Sequence, residues 1–145
     1  MKLSSRARYG MRAILELAME YGKEPLQIKT IAEREDISNK YLEQLIAMLK
    51  AAGLVRSIRG PRGGYMLAKP PAEIKLKEVF VTLEGPMVPA ECVEHPEFCP
   101  RCMDCATREI WTELQDAINK VLESKTLADL VEQSLTGKKH ANYQI

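Results

Sequence analysis

Four cysteines, Cys92, Cys99, Cys102 and Cys105, fall in one short stretch with the spacing C-x6-C-x2-C-x2-C, and they are all the cysteines the chain has. Thiolates placed this way can converge on one metal ion or iron–sulfur cluster without a strand or helix to carry each of them. The same set suits tetrahedral zinc, which has no redox chemistry and would make the loop structural. A third chemistry is a thiol switch, with Cys99 and Cys102, or Cys102 and Cys105, closing to a reversible disulfide. A thiol oxidoreductase built on the C-x-x-C pairs would need a βαβ setting that the flanking sequence lacks, and nothing else resembles a catalytic set. We therefore expect a sensor or a structural site, and no enzyme.

The elements that must position this loop are bounded by length and charge. The 145 residues fit one or two small domains with a modest core. No apolar run reaches the roughly 18 residues needed to span a bilayer, and Met1 to Arg6 lacks an apolar signal region with a cleavage site. A cytoplasmic protein without membrane contact is expected, where clustered cysteines bind metal or do redox work more often than they form structural disulfides. The net charge of +1 divides unevenly, because residues 1–71 hold 13 Lys/Arg against 7 Asp/Glu and the remainder holds 8 against 13. A basic first half suits a polyanion partner, although a charged face is by itself compatible with simple solvation.

Ser4 or Ser5 can cap a first helix with Met11, Ile14, Leu15 and Ala18 on its apolar face, widened by Tyr9, Leu17 and Tyr21 and ended by Gly22 and Pro25. A second helix is expected over about 28–35, a turn at Asp36-Ile37, and a third helix capped by Ser38 and stopped by Gly53. That third helix has two stripes at helical spacing. Leu42, Leu45, Ile46 and Leu49 suit a core, whereas Lys40, Glu43, Gln44 and Ala47 suit a surface that meets something polar. Residues 54–58 and 65–68 read as the strands of a hairpin. Its tip, Arg59-Gly60-Pro61-Arg62-Gly63-Gly64, brings two arginines together among glycines that let a backbone approach phosphates. Helix, turn, polar-faced helix and basic hairpin together read as a winged helix-turn-helix whose third helix enters a major groove.

The expected fold is mainly α, with a two-stranded wing and a long dimerisation helix. Residues 1–71 form the DNA-binding domain, closed by Pro70-Pro71. Residues 72–106 hold a short helix with Leu76, Val79, Phe80 and Leu83 inward, then the cysteine loop. Residues 107–136 hold a long helix capped by Thr107 and a last helix with Leu127, Leu130, Val131 and Leu135. On the long helix Ile110, Leu114, Ala117 and Val121 make a coiled-coil seam, broadened by Trp111, Ile118 and Leu122, which implies a homodimer. Residues 137–145 are expected to be a polar, frayed tail.

Three stretches carry a family resemblance: residues 1–10, Ser38 to Leu45, and Arg59 to Tyr65. They resemble the IscR family of dimeric winged-helix transcription regulators, to which NsrR and CymR also belong. The resemblance covers nearly the whole chain. It implies that Ser38, Asn39, Tyr41 and Gln44 meet DNA, that Arg59 enters a minor groove, and that Gly60, Arg62, Gly63 and Gly64 lie beside it. Gln can read adenine with two hydrogen bonds, and arginine favours a narrow minor groove. Glu43, also implied to bear on which DNA sites are accepted, can accept from a cytosine amine or reject sites that leave it unsatisfied.

The resemblance further implies an iron–sulfur cluster, expected as 2Fe–2S rather than 4Fe–4S, held by Cys92, Cys99 and Cys105. The family's familiar fourth ligands are a histidine three residues after the last cysteine or an aspartate near the N-terminus. Here those positions hold Arg108 and Arg8. Cys102 is the substitute by chemistry, with His95 the alternative. A spectator Cys102, with a ligand from the partner chain, is the remaining option. Residues 82–86 and the ending Tyr143-Gln144-Ile145 look like the CymR branch, which lacks the cysteine set and takes its signal from a cysteine-synthesis enzyme. The expectation is a homodimeric repressor on a palindromic operator in double-stranded DNA. It would sense cluster, iron or redox status and control cluster-assembly or iron and sulfur metabolism genes. The alternatives are a CymR-like regulator of cysteine metabolism, an NsrR-like nitric oxide sensor, and, in a different class, a zinc-stabilised interaction module.

Overall fold

The structure is a computed structural model, and it describes residues 2–143. In chain order it has α1 (Ser5–Met19), α2 (Ile28–Glu35), α3 (Asn39–Ala51), β1 (Val55–Ile58), β2 (Gly64–Leu67), α4 (Leu76–Glu84), α5 (Glu91–Glu94), α6 (Ala106–Ser124) and α7 (Leu127–Tyr143). The expected mainly helical, winged architecture is what forms. Gln144 and Ile145 of the CymR-like ending lie outside the described residues.

Local chemistry sets most of the boundaries. The Ser4 hydroxyl accepts from the Ala7 amide and that of Ser38 from the Tyr41 amide, so each caps its helix. Asp36 takes the left-handed conformation (φ 54°) that ends α2 and turns the chain into α3. Gly53 does the same after α3, at φ 78°. The long helix starts two residues earlier than expected, with Cys105 rather than Thr107 at its N-cap. The last helix does not stop near residue 136. It continues to Tyr143, since Gly137 alone is too weak a breaker and no proline follows it.

The face that α1 buries is Ala7, Gly10, Ala13, Ile14, Leu17 and Ala18, with Met11 only half-buried beside it. This is rotated from the expected stripe because α1 is enclosed by α3, α4 and α7 together. Gly10 permits the approach of α4: a Cβ there would lie 2.5 Å from a Leu83 methyl. A single core runs from Ala13 and Ile14 through Leu42, Leu45 and Leu49 to Val79, Leu83, Leu122 and Leu127. It is therefore continuous across Pro70-Pro71. The turn from α6 to α7 is pinned to the start of α4, with the Leu76 amide donating to the Lys125 carbonyl (2.9 Å) and Leu127 to that of Ile74 (3.0 Å).

Candidate functional site

The third helix, α3, divides as its two stripes require. Leu42, Leu45, Ile46 and Leu49 are buried, and Ser38, Asn39, Lys40, Glu43, Gln44 and Ala47 are exposed. Tyr41 is half-buried, with its ring edge-on to Tyr9 of α1 at a centroid distance of 6.2 Å.

The wing pairs Val55 with Leu67, Arg56 with Met66, Ser57 with Tyr65 and Ile58 with Gly64. A further bridge, absent from the sequence reading, ties it to the rest of the molecule. Leu26 and Tyr65 exchange both backbone hydrogen bonds, at 2.9 and 2.7 Å. At the tip the Gly63 amide donates to the Gly60 carbonyl at 2.9 Å. Two tip glycines have structural reasons of their own. A Cβ on Gly63 would lie 2.2 Å from the Ile58 carbonyl oxygen, and one on Gly64 would lie 2.4 Å from that of Leu26. Arg59 and Arg62 are exposed and make no ion pair among the described residues. Two free guanidiniums on a hairpin beside an exposed polar helix face can take phosphates or groove edges.

The cysteine stretch is not a featureless loop. It folds as α5, a 3-10 turn at Pro96–Phe98 and another at Cys102–Asp104. Cys102 is buried, and Cys92, Cys99 and Cys105 are half-buried. One backbone oxygen organises the stretch: the Cys92 carbonyl accepts from the Cys102 thiol (3.6 Å) and from Nε of Arg108 (3.1 Å). Arg108, in the first turn of α6, thus reaches back to hold the start of the cysteine run. Burial pushes the Cys102 thiol up, the Arg108 charge opposes this, and the other three thiols add to it when ionised. Cys105 is moved the other way, chiefly by a hydrogen bond with the Thr107 hydroxyl (3.1 Å) and next by the Arg108 backbone amide. His95 is exposed, 5.3 Å from the Phe98 ring and 3.2 Å from a Glu97 carboxylate oxygen. Among the described residues, no three His, Cys, Asp or Glu side chains stand in position to hold a metal ion as placed.

The long helix α6 presents two faces. Leu122 is buried in the chain's own core and Ile118 packs against it, while Ile110, Leu114 and Val121 are 51, 42 and 53 % exposed. Of the residues expected to broaden the seam, Leu122 therefore faces inward. Leu3, Phe80 and Met87 flank the apolar groove that the outer face leaves open beside Ala117 and Val121. Among the described residues no helix is long and apolar enough to cross a membrane.

Compared with known proteins, residues 3–133 match the Rrf2 family, described as iron-dependent transcriptional regulator. The chain belongs to the Rrf2 family. It is 43 % identical to the protein rrf2 of Nitratidesulfovibrio vulgaris over 97 % of this chain and 94 % of that one. The solved structure of CymR (YrzC), the global cysteine regulator of B. subtilis, superposes with a TM-score of 0.80 at 41 % identity, over 92 % of this chain and 98 % of that one. T. potens IscR superposes at 0.76 with 38 % identity, over 92 and 88 % of the two chains. The chain is accordingly a winged-helix, DNA-binding transcriptional regulator, of a family of regulators and not of enzymes.

Within this Rrf2-family frame, two contacts had no counterpart in the reading of the sequence. The Arg108–Cys92 hydrogen bond joins α6 to the cysteine loop, and nothing in the spacing of those residues signals it. The Tyr9–Tyr41 contact joins α1 to the recognition helix, although Tyr9 reads from periodicity as one more apolar residue. An arginine on either side of it in sequence, Arg8 and Arg12, is the signal that was there to find.

Proposed function

We propose that this chain is a homodimeric, cytoplasmic repressor that reads a palindromic operator and adjusts its DNA affinity to iron–sulfur or redox status through the cysteine loop. The observation that carries the reading is the Arg108–Cys92 hydrogen bond of 3.1 Å, because it couples the cysteine run to the helix whose outer face is apolar and open. The DNA-reading unit is residues 1–71. In it Ser38, Asn39, Tyr41, Glu43 and Gln44 meet base edges and phosphates, Arg59 enters a minor groove, and Arg62 and the glycines Gly60, Gly63 and Gly64 lie along the backbone.

The donor set fits an iron–sulfur group by its chemistry. Four thiols share one stretch, and thiolates are the ordinary ligands of such clusters. Cys92, Cys99 and Cys105 would hold it, with Cys102 as fourth ligand. The bound group supplies a redox- and oxygen-sensitive charge that thiols alone do not have. Cys102 and Arg108 share the Cys92 carbonyl as acceptor, so a change in what Cys102 binds moves the point where α6 holds the loop. A few kcal/mol of differential affinity between two loop arrangements is enough to switch occupancy. The resemblance to CymR, the global cysteine regulator of B. subtilis, supports control of sulfur metabolism genes.

Anaerobic purification with iron, sulfide and zinc analysis and a visible spectrum is the test. Cys92→Ala should lose the chromophore and most of the iron. If its spectrum and iron content match the wild type, the ligand set is wrong. Stoichiometric zinc without iron or sulfide makes the loop a structural zinc site instead.

A further inference from the structure

We propose that Arg8, Tyr9 and Arg12 of α1 form a second DNA contact, which grips backbone phosphate beside the groove that α3 enters. The inference rests on α3 being the DNA-facing helix. Tyr9 places α1 at the correct end of that helix. Its ring meets Tyr41 at 6.2 Å and 85°, and Tyr41 lies in the first turn of α3, where Ser38 caps the backbone.

Two cations gather on the Tyr9 ring. The guanidinium carbon of Arg8 is 5.9 Å from its centroid and that of Arg12 is 5.5 Å. Like charges four residues apart on a helix repel, so keeping both on one ring calls for counter-charge. Glu35 of α2 supplies half of it, through a 2.5 Å ion pair with Nε of Arg12, which leaves Arg12 still 53 % exposed. Arg8 is exposed and makes no ion pair among the described residues. Contrast Arg34, also between α1 and α2, which is taken up by Glu16 at 3.1 Å and Glu20 at 3.6 Å. The charge is satisfied away from α3 and left over beside it.

Phosphodiester oxygen is the ligand this cluster fits. A guanidinium resting on an aromatic face keeps its N–H fork free for a planar, two-point grip on phosphate, which an ammonium cannot reproduce. In helix-turn-helix proteins the elements flanking the reading helix cross the backbone, so phosphate is what the position offers.

The experiment titrates full-length Arg8→Ala, Arg8→Lys and Gln44→Ala against two duplexes by fluorescence anisotropy over a range of salt. One duplex is selected from a random pool by the wild-type protein, and the other is its scrambled counterpart of equal length. Arg8→Ala should weaken both by the same factor, roughly tenfold, and flatten the log–log salt dependence by about two for a dimer. Arg8→Lys should retain the salt slope while losing part of the affinity. Unchanged affinity and slope in Arg8→Ala would overturn the contact, as would a loss confined to the selected duplex, which marks a base reader. Gln44→Ala tests α3 separately, by loss of discrimination between the duplexes. Discrimination lost there, beside an unaffected Arg8→Ala, refutes the α1 contact and leaves α3 as the reader.

Discussion

Cys102 and Cys105 are three residues apart, yet their surroundings push their thiols in opposite directions. Burial raises Cys102, and a hydrogen bond with the Thr107 hydroxyl lowers Cys105. The thiolate is the nucleophile, so a lowered value means more of the reactive form at a given pH. In metal-free protein near neutral pH, Cys105 should react first with iodoacetamide and Cys102 last, as followed by peptide mass spectrometry. Raising the pH should bring Cys105 up before Cys102. Equal rates would remove the distinction between them. That the four cysteines share one short stretch was legible from their spacing alone. Which of them is enclosed was not, because the burial of Cys102 depends on a 3-10 turn and on Arg108 arriving from another element.

At the scale of elements, caps and stripes carried the reading. Ser4, Ser38, Asp36 and Gly53 mark ends that their side chains or backbone freedom dictate, and the buried stripe of α3 follows from helical spacing. The wing is different, because its placement rests on a contact between distant residues. Gly64 stands against Leu26, and that approach lets Leu26 and Tyr65 exchange their hydrogen bonds. A local pattern cannot announce such a bridge. Gly64→Ala would drive its Cβ into the Leu26 carbonyl at φ 155°, a conformation side chains rarely adopt. It should cost roughly 1–3 kcal/mol in urea unfolding and weaken DNA binding beyond that loss by displacing Arg59 and Arg62. A variant as stable as the wild type would mean that the wing is not held through Leu26.

The whole molecule is organised around α6, one side of which completes the core while the other is left to solvent. Leu122 and Leu127 close the same apolar interior that Ile14 and Leu42 begin, so the winged-helix half and the cysteine-bearing half share one core across Pro70-Pro71. Composition placed a charge boundary there but could not show packing across it. On the outer side, Ile110, Leu114 and Val121 sit at coiled-coil spacing with 42 to 53 % of their surface exposed. A helix with this much unburied apolar area is stable in water when a second copy covers it. Pairing brings two wings and two reading helices onto one duplex, and the second contact then binds intramolecularly, at high effective concentration. Leu114→Glu puts a charge in the seam without touching the core. It should sediment as a monomer with undiminished helix content by circular dichroism. Its affinity for a palindromic duplex should fall by roughly 100-fold or more, while half-site affinity stays close to that of the wild type. A Leu114→Glu protein that remains dimeric would move the interface off this face.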